Sequence, residues 1–307
     1  MLSYYKTIDG SISAVPDCEP GCWINCIMPE DDEINGLITD FGIEPDFFRA
    51  AMDEEESSHI DSEDGNTLVI IDVPIVEKSG KNFIYSTMPL GIIITEKNVI
   101  TVSTHANSVL DEFSRGMIKG VQTNLKTRFV LYLMLRIATR YLQYLKQIDK
   151  VSNVVEKELR KSMKNSELIQ LLDIQKSLVY FSSSLKANEI TLEKIMRGRT
   201  LKLYEEDQDL LEDVLIEVKQ AIEMSNIHLN IISGTMDAFA SVISNNLNMV
   251  MKILVSITLI VSIPIIIASA CGMNVPGIPF TNFWFPVGIA LVCMGIAGYV
   301  LHKKNML

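Results

Sequence analysis

Hydrophobic residues change their spacing along the chain, and the changes divide its 307 residues into three regions. In residues 1–120 they gather in short runs rich in β-branched and aromatic side chains, which is typical of strands. From about residue 121 they recur at helical spacing over long stretches. The last region holds two runs, 253–271 and 283–301, without Asp, Glu, Lys or Arg. The pattern predicts a mixed domain, a helical segment and two membrane spans.

Residues 1–120 are expected to form a cytosolic α/β domain with a small sheet. Four runs resemble strands: CWINCIM, TLVIIDVPIV, FIYSTMPLGIIIT and NVITVST. The last two are joined across EKN, which is typical of a hairpin turn. Two helical stretches, PEDDEINGLITDFG and PDFFRAAMDEEE, follow the first strand, and each begins with Pro and acidic residues as helices often do.

Residues 121–252 are expected to form a cytosolic stalk of long helices. The first helical pattern covers residues 127–163, and the second runs from Ser166, its predicted N-cap, to Gly198. The third begins near Glu205 and continues without a break to Ala270, a length on the order of 100 Å at about 1.5 Å per residue. One helix would then pass from the cytosolic part into the first span.

Each apolar run is long enough to cross a bilayer, since about 28 Å of helix matches a hydrocarbon core of about 30 Å. Lys252 precedes the first run, Lys303 and Lys304 follow the second, and the segment 272–282 between them is uncharged. The positive-inside rule therefore predicts cytoplasmic termini, an external loop at 272–282 and a basic cytosolic tail at 302–307. The first residues lack the apolar core and basic leader of a secretory signal.

The charge of the chain is acidic, −11 overall, and the excess is concentrated in the third helix. Between Glu205 and Asn248 there are nine acidic residues and one lysine, Lys219. A solvated helix face is one interpretation; attraction of divalent cations, which prefer oxygen ligands, is the other. No nucleic-acid partner is expected.

The cysteines and motifs give little support to an enzyme or a zinc protein. Cys18, Cys22 and Cys26 recur every four residues, but with no fourth thiol or histidine nearby we expect reduced, mostly apolar side chains. A disulfide framework is not expected in the cytosol. The chain has no P-loop, G-x-S-x-G, H-E-x-x-H or glycine-rich nucleotide motif, and so we expect no enzymatic activity.

The first predicted span carries a stripe of small polar and apolar residues at alternating steps of three and four, which places them on one helix face. Such a stripe suits either a helix–helix seam or a pore lining. Two helices cannot enclose a pore, so the second interpretation requires a homo-oligomer. The stripe consists of Asn248, Met251, Val255, Thr258, Ser262, Ile265 and Ser269.

The end of this span, Gly272-Met273-Asn274, resembles the GMN signature of the CorA family of divalent-cation transporters. The approach sequence SGTMDAFASVISNNLNMVMKIL is also similar to the family's, and EPGCWIN and MNVPGIP resemble its Gram-positive bacterial members. The resemblance covers essentially the whole chain. It implies a funnel-shaped homopentamer in the cell membrane that transports Mg²⁺, with cobalt or nickel as accompanying ions, and whose second spans face lipid.

The resemblance also assigns roles to individual residues. Gly272 and Met273 would shape a turn that presents a ring of Asn274 side chains to hydrated Mg²⁺ at the outer mouth. Asn248 matches a polar constriction, and Asp237 matches an acid of the cytosolic funnel. Met251, Leu254 and Val255 match an apolar neck.

Regulation is implied as well, since Asp213 matches an acid that helps to bind regulatory Mg²⁺ between subunits. Its partner in the N-terminal domain is unassigned, although the acidic loop offers Asp61, Glu63 and Asp64. Ser262 stands where some members have methionine, and the external loop lacks the acids of several others. The alternatives are a zinc transporter of the ZntB type and a membrane-tethered scaffold without transport.

Overall fold

The computed structural model describes residues 1–79, 82–162, 165–198, 201, 203–273, 284–304 and 306. The chain divides into two compact units, Met1–Thr235 and Met236–Leu307. The expected architecture, an α/β domain followed by long helices, is confirmed. The domain boundaries given above stay predictions.

The first unit contains a seven-stranded sheet with the order β2-β1-β3-β7-β6-β5-β4. Only β3 and β7 pair in parallel; the other neighbours are antiparallel. The strands are β1 Leu2–Ile8, β2 Ser11–Val15, β3 Trp23–Ile27, β4 His59–Glu63, β5 Asn66–Ser79, β6 Asn82–Ile94 and β7 Val99–Ser103. The four predicted strands are confirmed as β3, β5, β6 and β7, and β6 and β7 form the predicted hairpin.

One face of the sheet is covered by two short helices, α1 Asp31–Phe41 and α2 Pro45–Met52, as predicted from their acidic and proline starts. Side chains of α2, including Phe47 and Phe48, pack with Ile24, Leu68 and Ile70 of the strands. The approach is close at Gly91 of β6, where a Cβ atom would lie 2.4 Å from the Cβ of Ala51. Glycine is therefore required there by sterics.

The other face is covered by α3 Ser108–Ser114 and by parts of the long helices α4 Lys126–Ser162 and α5 Asn165–Met196. Trp23 lies on this face, and its ring centroid is 5.5 Å from that of Phe129. Because the central strands are covered on both faces, their sequences read as unbroken apolar runs without alternation.

The predicted long helices are present, with one correction at a terminus. The helix α5 begins at Asn165, so Ser166 lies inside its first turn and is not the N-cap; its hydroxyl donates to Oε1 of Glu167. Its end is as predicted, since Gly198 lies just beyond Met196 and donates its N–H to the carbonyl of Ile195.

The helix α5 also supplies hydrogen bonds to the part of β5 that its neighbour β4 does not reach. The strand β4 pairs with β5 only as far as Ile70. Beyond that point the carboxamide of Asn188 accepts from the N–H of Asp72 at 2.9 Å and donates to its carbonyl at 2.8 Å. The hydroxyl of Ser58 donates to the carbonyl of Ile70 at 2.8 Å.

The second unit contains the end of helix α6 Glu205–Cys271 and helix α7 Trp284–Lys303. Both helices are long and apolar enough to cross a membrane. The hydroxyl of Ser256, which is fully buried, donates to the carbonyl of Met306 at 2.9 Å. Pro264 lies inside α6 and provides no N–H for the helix ladder, a loss that transmembrane helices tolerate.

Candidate functional site

The predicted polar stripe lies on one side of an unbroken helix. Residues 248–269 all fall within α6, so alternating steps of three and four keep the seven positions on one face. Six of the seven are exposed in the single chain, and Ser262 is half-buried. Leu254 is also exposed and lies at the edge of the stripe.

The face of α6 that meets α7 lies on the opposite side. Ser256 is buried there, and Ile267 and Cys271 line a cavity of about 450 Å³ together with Val287 and Ala290 of α7. At about 100° per residue, this face is turned ~180° from the stripe. The stripe is therefore not the seam between the two spans of one chain.

The hydroxyl groups of the stripe are bonded to their own helix. Thr258 donates to the carbonyl of Leu254 at 2.8 Å, and Ser262 donates to the carbonyl of Thr258 at 2.7 Å. This back-bonding uses the one proton of each hydroxyl and leaves oxygen lone pairs directed outward. The stripe therefore presents hydrogen-bond acceptors.

The stripe begins before Asn248, its predicted first residue. Continuing the same steps towards the N-terminus reaches Ser244, Ser241 and Asp237, all of them exposed. The hydroxyl of Ser241 donates to the carbonyl of Asp237 at 3.1 Å. Applying the same spacing to residues before Asn248 would have found both serines.

In the first unit the same spacing runs through seven further positions of α6, all of them exposed. They are Asp213, Ile216, Gln220, Glu223, Ile227, Asn230 and Gly234. Asp213 thus stands on an open surface. A groove of about 490 Å³ beside it is lined by Glu212, Ile216 and Lys219 of α6 and by Glu193 and Arg197 of α5.

Neither predicted metal-binding acid has enough ligands in the part of its own chain that the structure describes. Among the described residues there is no group of three His, Cys, Asp or Glu side chains that could hold a metal ion. Asp213 and Asp237 are among these residues, as are the exposed acids Asp61, Glu63 and Asp64. The acidic loop expected from the sequence is mostly strand, since Asp61 and Glu63 belong to β4.

Two acids at the start of α6 are paired with a basic residue, although the sequence indicated an acidic run with only one lysine. Arg128 of α4 forms an ion pair with Glu206, and its Nε lies 3.1 Å from Oδ1 of the buried Asp207. Nothing in the local sequence indicates this pairing, because Arg128 lies far away along the chain. The remaining excess belongs to the exposed acids further along the helix.

At the end of α6, Gly272 donates its N–H to the carbonyl of Ala268 at 2.9 Å, and Met273 is exposed. Asn274, the third residue of the GMN signature, lies outside the described residues, as does the rest of the predicted external loop.

The family of the chain is decided by comparison with known proteins. A family described as CorA-like Mg²⁺ transporter protein matches residues 19–303. The chain belongs to the CorA family. The cobalt/magnesium transport protein CorA of Methanocaldococcus jannaschii is 27% identical over 296 residues, which is 92% of this chain and 90% of that protein. The predicted family is thus confirmed, while the Gram-positive subgroup stays a prediction.

Two solved structures show how widely this fold is shared. The complete CorA magnesium transporter from M. jannaschii matches with a TM-score of 0.86 at 22% identity, covering 100% of this chain and 99% of that one. The ZntB cytoplasmic domain from Vibrio parahaemolyticus matches with a TM-score of 0.60 at 12% identity, covering 80% and 97%. The CorA fold therefore extends over the whole chain, and the ZntB likeness shows a shared fold alone.

Proposed function

We propose that this CorA-family chain transports Mg²⁺, and also Co²⁺, through a pore formed jointly by the α6 helices of several copies. The observation that supports the proposal most strongly is the exposed acceptor stripe of α6, which is turned away from α7. A stripe on that face meets another copy, water or lipid, and the carboxamide of Asn248, which is costly in hydrocarbon and cannot bond back to the helix as a hydroxyl does, favours the first two. In this role the chain acts as a transporter and not as an enzyme.

The assembly we propose is a homopentamer in the cell membrane, with α7 towards the lipid. The described residues of one chain include two helices that could cross a membrane, which are too few to surround a pore. The spacing of the stripe repeats every seven residues, a period that suits helices packed side by side around a common axis. The Lys252, Lys303 and Lys304 side chains favour cytoplasmic termini.

The chemistry of the stripe suits an ion that keeps its water. Mg²⁺ dehydrates reluctantly, so its bound waters direct O–H donors outward. The back-bonded hydroxyls of Thr258 and Ser262 offer acceptor oxygens to such donors. The carboxamide oxygens of Asn248 and Asn274 would do the same at the two ends of the span. The inward movement of a divalent cation then gains about 2.3 kcal/mol per charge per 100 mV of membrane potential.

We further propose that the pore closes when cytosolic Mg²⁺ binds between copies. Asp213 is exposed and has too few ligands among the described residues of its own chain, so a bound ion there would draw ligands from a neighbouring copy. Asp237 would attract cations towards the pore. Loss of the regulatory ions would leave the acids repelling one another, and the apolar neck at Met251, Leu254 and Val255 would widen and become wet.

Flux measurements in proteoliposomes test the pore. The wild type, loaded with a magnesium-sensitive dye under an inside-negative potential, should take up Mg²⁺, and Asn274→Ala should lose most of that uptake. Asn248→Ala, on the stripe, should reduce flux more than Asn246→Ala, on the opposite side of α6. Uptake of Zn²⁺ without Mg²⁺ would instead indicate the zinc transporter, although none of the four histidines lies in either span. A folded wild type that moves neither ion would indicate the scaffold.

A second experiment tests the regulatory site separately. Asp213→Lys should raise the internal Mg²⁺ concentration that is needed for closure. Glu212→Lys makes the same charge change one residue away and should have a smaller effect. An unchanged closing concentration in Asp213→Lys would show that the site lies elsewhere.

A further inference from the structure

A tight turn brings two thiols into contact in the loop between β2 and β3. The carbonyl of Glu19 accepts from the N–H of Cys22 at 3.1 Å, and Pro20 and Gly21 occupy the central positions. Gly21 has φ of +79°, as a type II turn requires at that position. The turn folds Cys18 back on Cys22, and their Sγ atoms lie 3.5 Å apart.

The neighbouring hairpin holds this turn in place. The buried Asn98, between β6 and β7, directs its Nδ2 at the carbonyl of Glu19 at 2.8 Å, the carbonyl of Cys22 at 3.1 Å and the Sγ of Cys22 at 3.0 Å. Gly21 donates its N–H to the carbonyl of Lys97 at 2.9 Å. The contact between the two sulfur atoms is thus fixed by tertiary structure.

The two thiols differ in their access to solvent. Cys18 is exposed, whereas Cys22 is fully buried behind it. Cys26 is equally buried and packs in the same apolar cluster as Cys22. A small reagent can therefore reach Cys18 first, and Cys22 is placed to react with whatever Cys18 becomes.

We propose that Cys18 and Cys22 form a thiol–disulfide exchange site that accepts small, low-molecular-weight disulfides. The Cys18 thiolate attacks one sulfur of the small disulfide, forms a mixed disulfide and releases one small thiol. The Cys22 thiolate then attacks Sγ of Cys18 and releases the second small thiol. The pair loses two protons and two electrons and becomes an intramolecular disulfide, while the small disulfide is reduced to two thiols.

The reaction is slow at neutral pH. Burial, the hydrogen bond and charge of Cys22, and the charge of Asp40 raise the pKa of the Cys18 thiol to about 12. The other groups around this loop are Tyr4 and the ion pair of Lys6 with Glu19. Because the thiolate is the nucleophile, the first step becomes faster as the pH rises. The site therefore responds to a sustained excess of disulfide and not to a brief pulse.

Peptide mapping of the full-length protein in detergent tests the proposal. After incubation with oxidised glutathione at mildly alkaline pH, the wild-type peptide that contains both cysteines should lose two hydrogen masses and carry no glutathione. Cys22→Ala should retain glutathione on Cys18, because the resolving thiol is absent. Cys26→Ser, the matched buried control, should behave like the wild type.

Either of two results would overturn the proposal. One is a wild type that keeps glutathione on Cys18 without forming the internal bond. The other is a Cys18 that stays unmodified under conditions that modify the denatured chain. Should Cys22→Ala fail to fold, Cys18→Ser is the second variant, because it changes only an exposed thiol. It must abolish the loss of two hydrogen masses from the peptide. If that loss persists in Cys18→Ser, the disulfide does not involve Cys18 and the proposal is refuted.

Discussion

The indole N–H of Trp23 donates to the hydroxyl oxygen of Thr101 at 2.8 Å, across the parallel pair of β3 and β7. The same hydroxyl donates its proton to Oδ1 of Asn25 at 3.0 Å. All three side chains are buried. One threonine thus satisfies two polar groups that have no access to water, and it does so where the two halves of the sheet join.

Thr101→Val should destabilise the first unit by ~2–6 kcal/mol. The substitution keeps the shape but leaves the Trp23 N–H and the Asn25 oxygen unpaired, and each buried unpaired group costs about 1–3 kcal/mol. Urea unfolding of the full-length protein, with Trp284→Phe in every variant so that the fluorescence comes from Trp23, measures the change. Thr39→Val removes an exposed hydroxyl that bonds to its own helix and should cost far less. If both substitutions lower the free energy of unfolding equally, Thr101 does not satisfy the two buried groups.

Gly91→Ala should cost about 1–3 kcal/mol, because the added methyl group would overlap Ala51 of α2 and force the helix away from β6. Ala51→Gly removes the opposing methyl group. The double variant should therefore be more stable than the sum of the two single changes predicts. Thermal unfolding of the wild type, the two single variants and the double variant gives this double-mutant cycle. Strict additivity would show that the two positions do not meet.

The stability that Glu112 provides should disappear in acid. Burial opposes ionisation of this carboxyl, but the hydrogen bonds and charges of Arg136 and Arg140 outweigh it and lower its pKa from 4.5. A carboxyl with a depressed pKa in the folded state stabilises above the unfolded pKa, and this contribution is lost as the pH falls through the folded pKa. Glu112→Gln should therefore be less stable than wild type at pH 7, with the difference shrinking below about pH 4.5. A constant difference from pH 7 to pH 3 would refute this.

Cysteine accessibility distinguishes the two faces of the first span. In a background with Cys18→Ser, Cys271→Ser and Cys293→Ser, Thr258→Cys should react with a water-soluble thiol reagent, and the reaction should block Mg²⁺ flux. Ile267→Cys, on the face towards α7, should stay unmodified and active. If Ile267→Cys reacts and Thr258→Cys does not, the ion pathway runs along the α7 side of α6 and the proposed stripe is not its lining.

Local spacing was sufficient to predict the long helices, the two apolar runs and the stripe of α6, because those features repeat over many residues. The helix α3, only seven residues long, was not predicted. The strands β1, β2 and β4 were not predicted, since most of β1 is half-buried and β2 and β4 are short and partly exposed. The pairing of Arg128 with Asp207 joins residues that are distant in sequence, and only tertiary structure brings them together. The contact of Cys18 with Cys22 is local, but Asn98, which holds the turn in place, comes from a distant part of the chain.

The carboxamide of Asn188 acts as a substitute for a neighbouring strand. With one donor and one acceptor, it occupies the backbone groups of Asp72 that β4 leaves unpaired beyond Ile70. An open strand edge is a template for pairing with another chain, and a side chain that covers it protects against aggregation. During synthesis this edge stays open until α5 has been made and has docked, so the newly made chain is most vulnerable to misassociation in that interval.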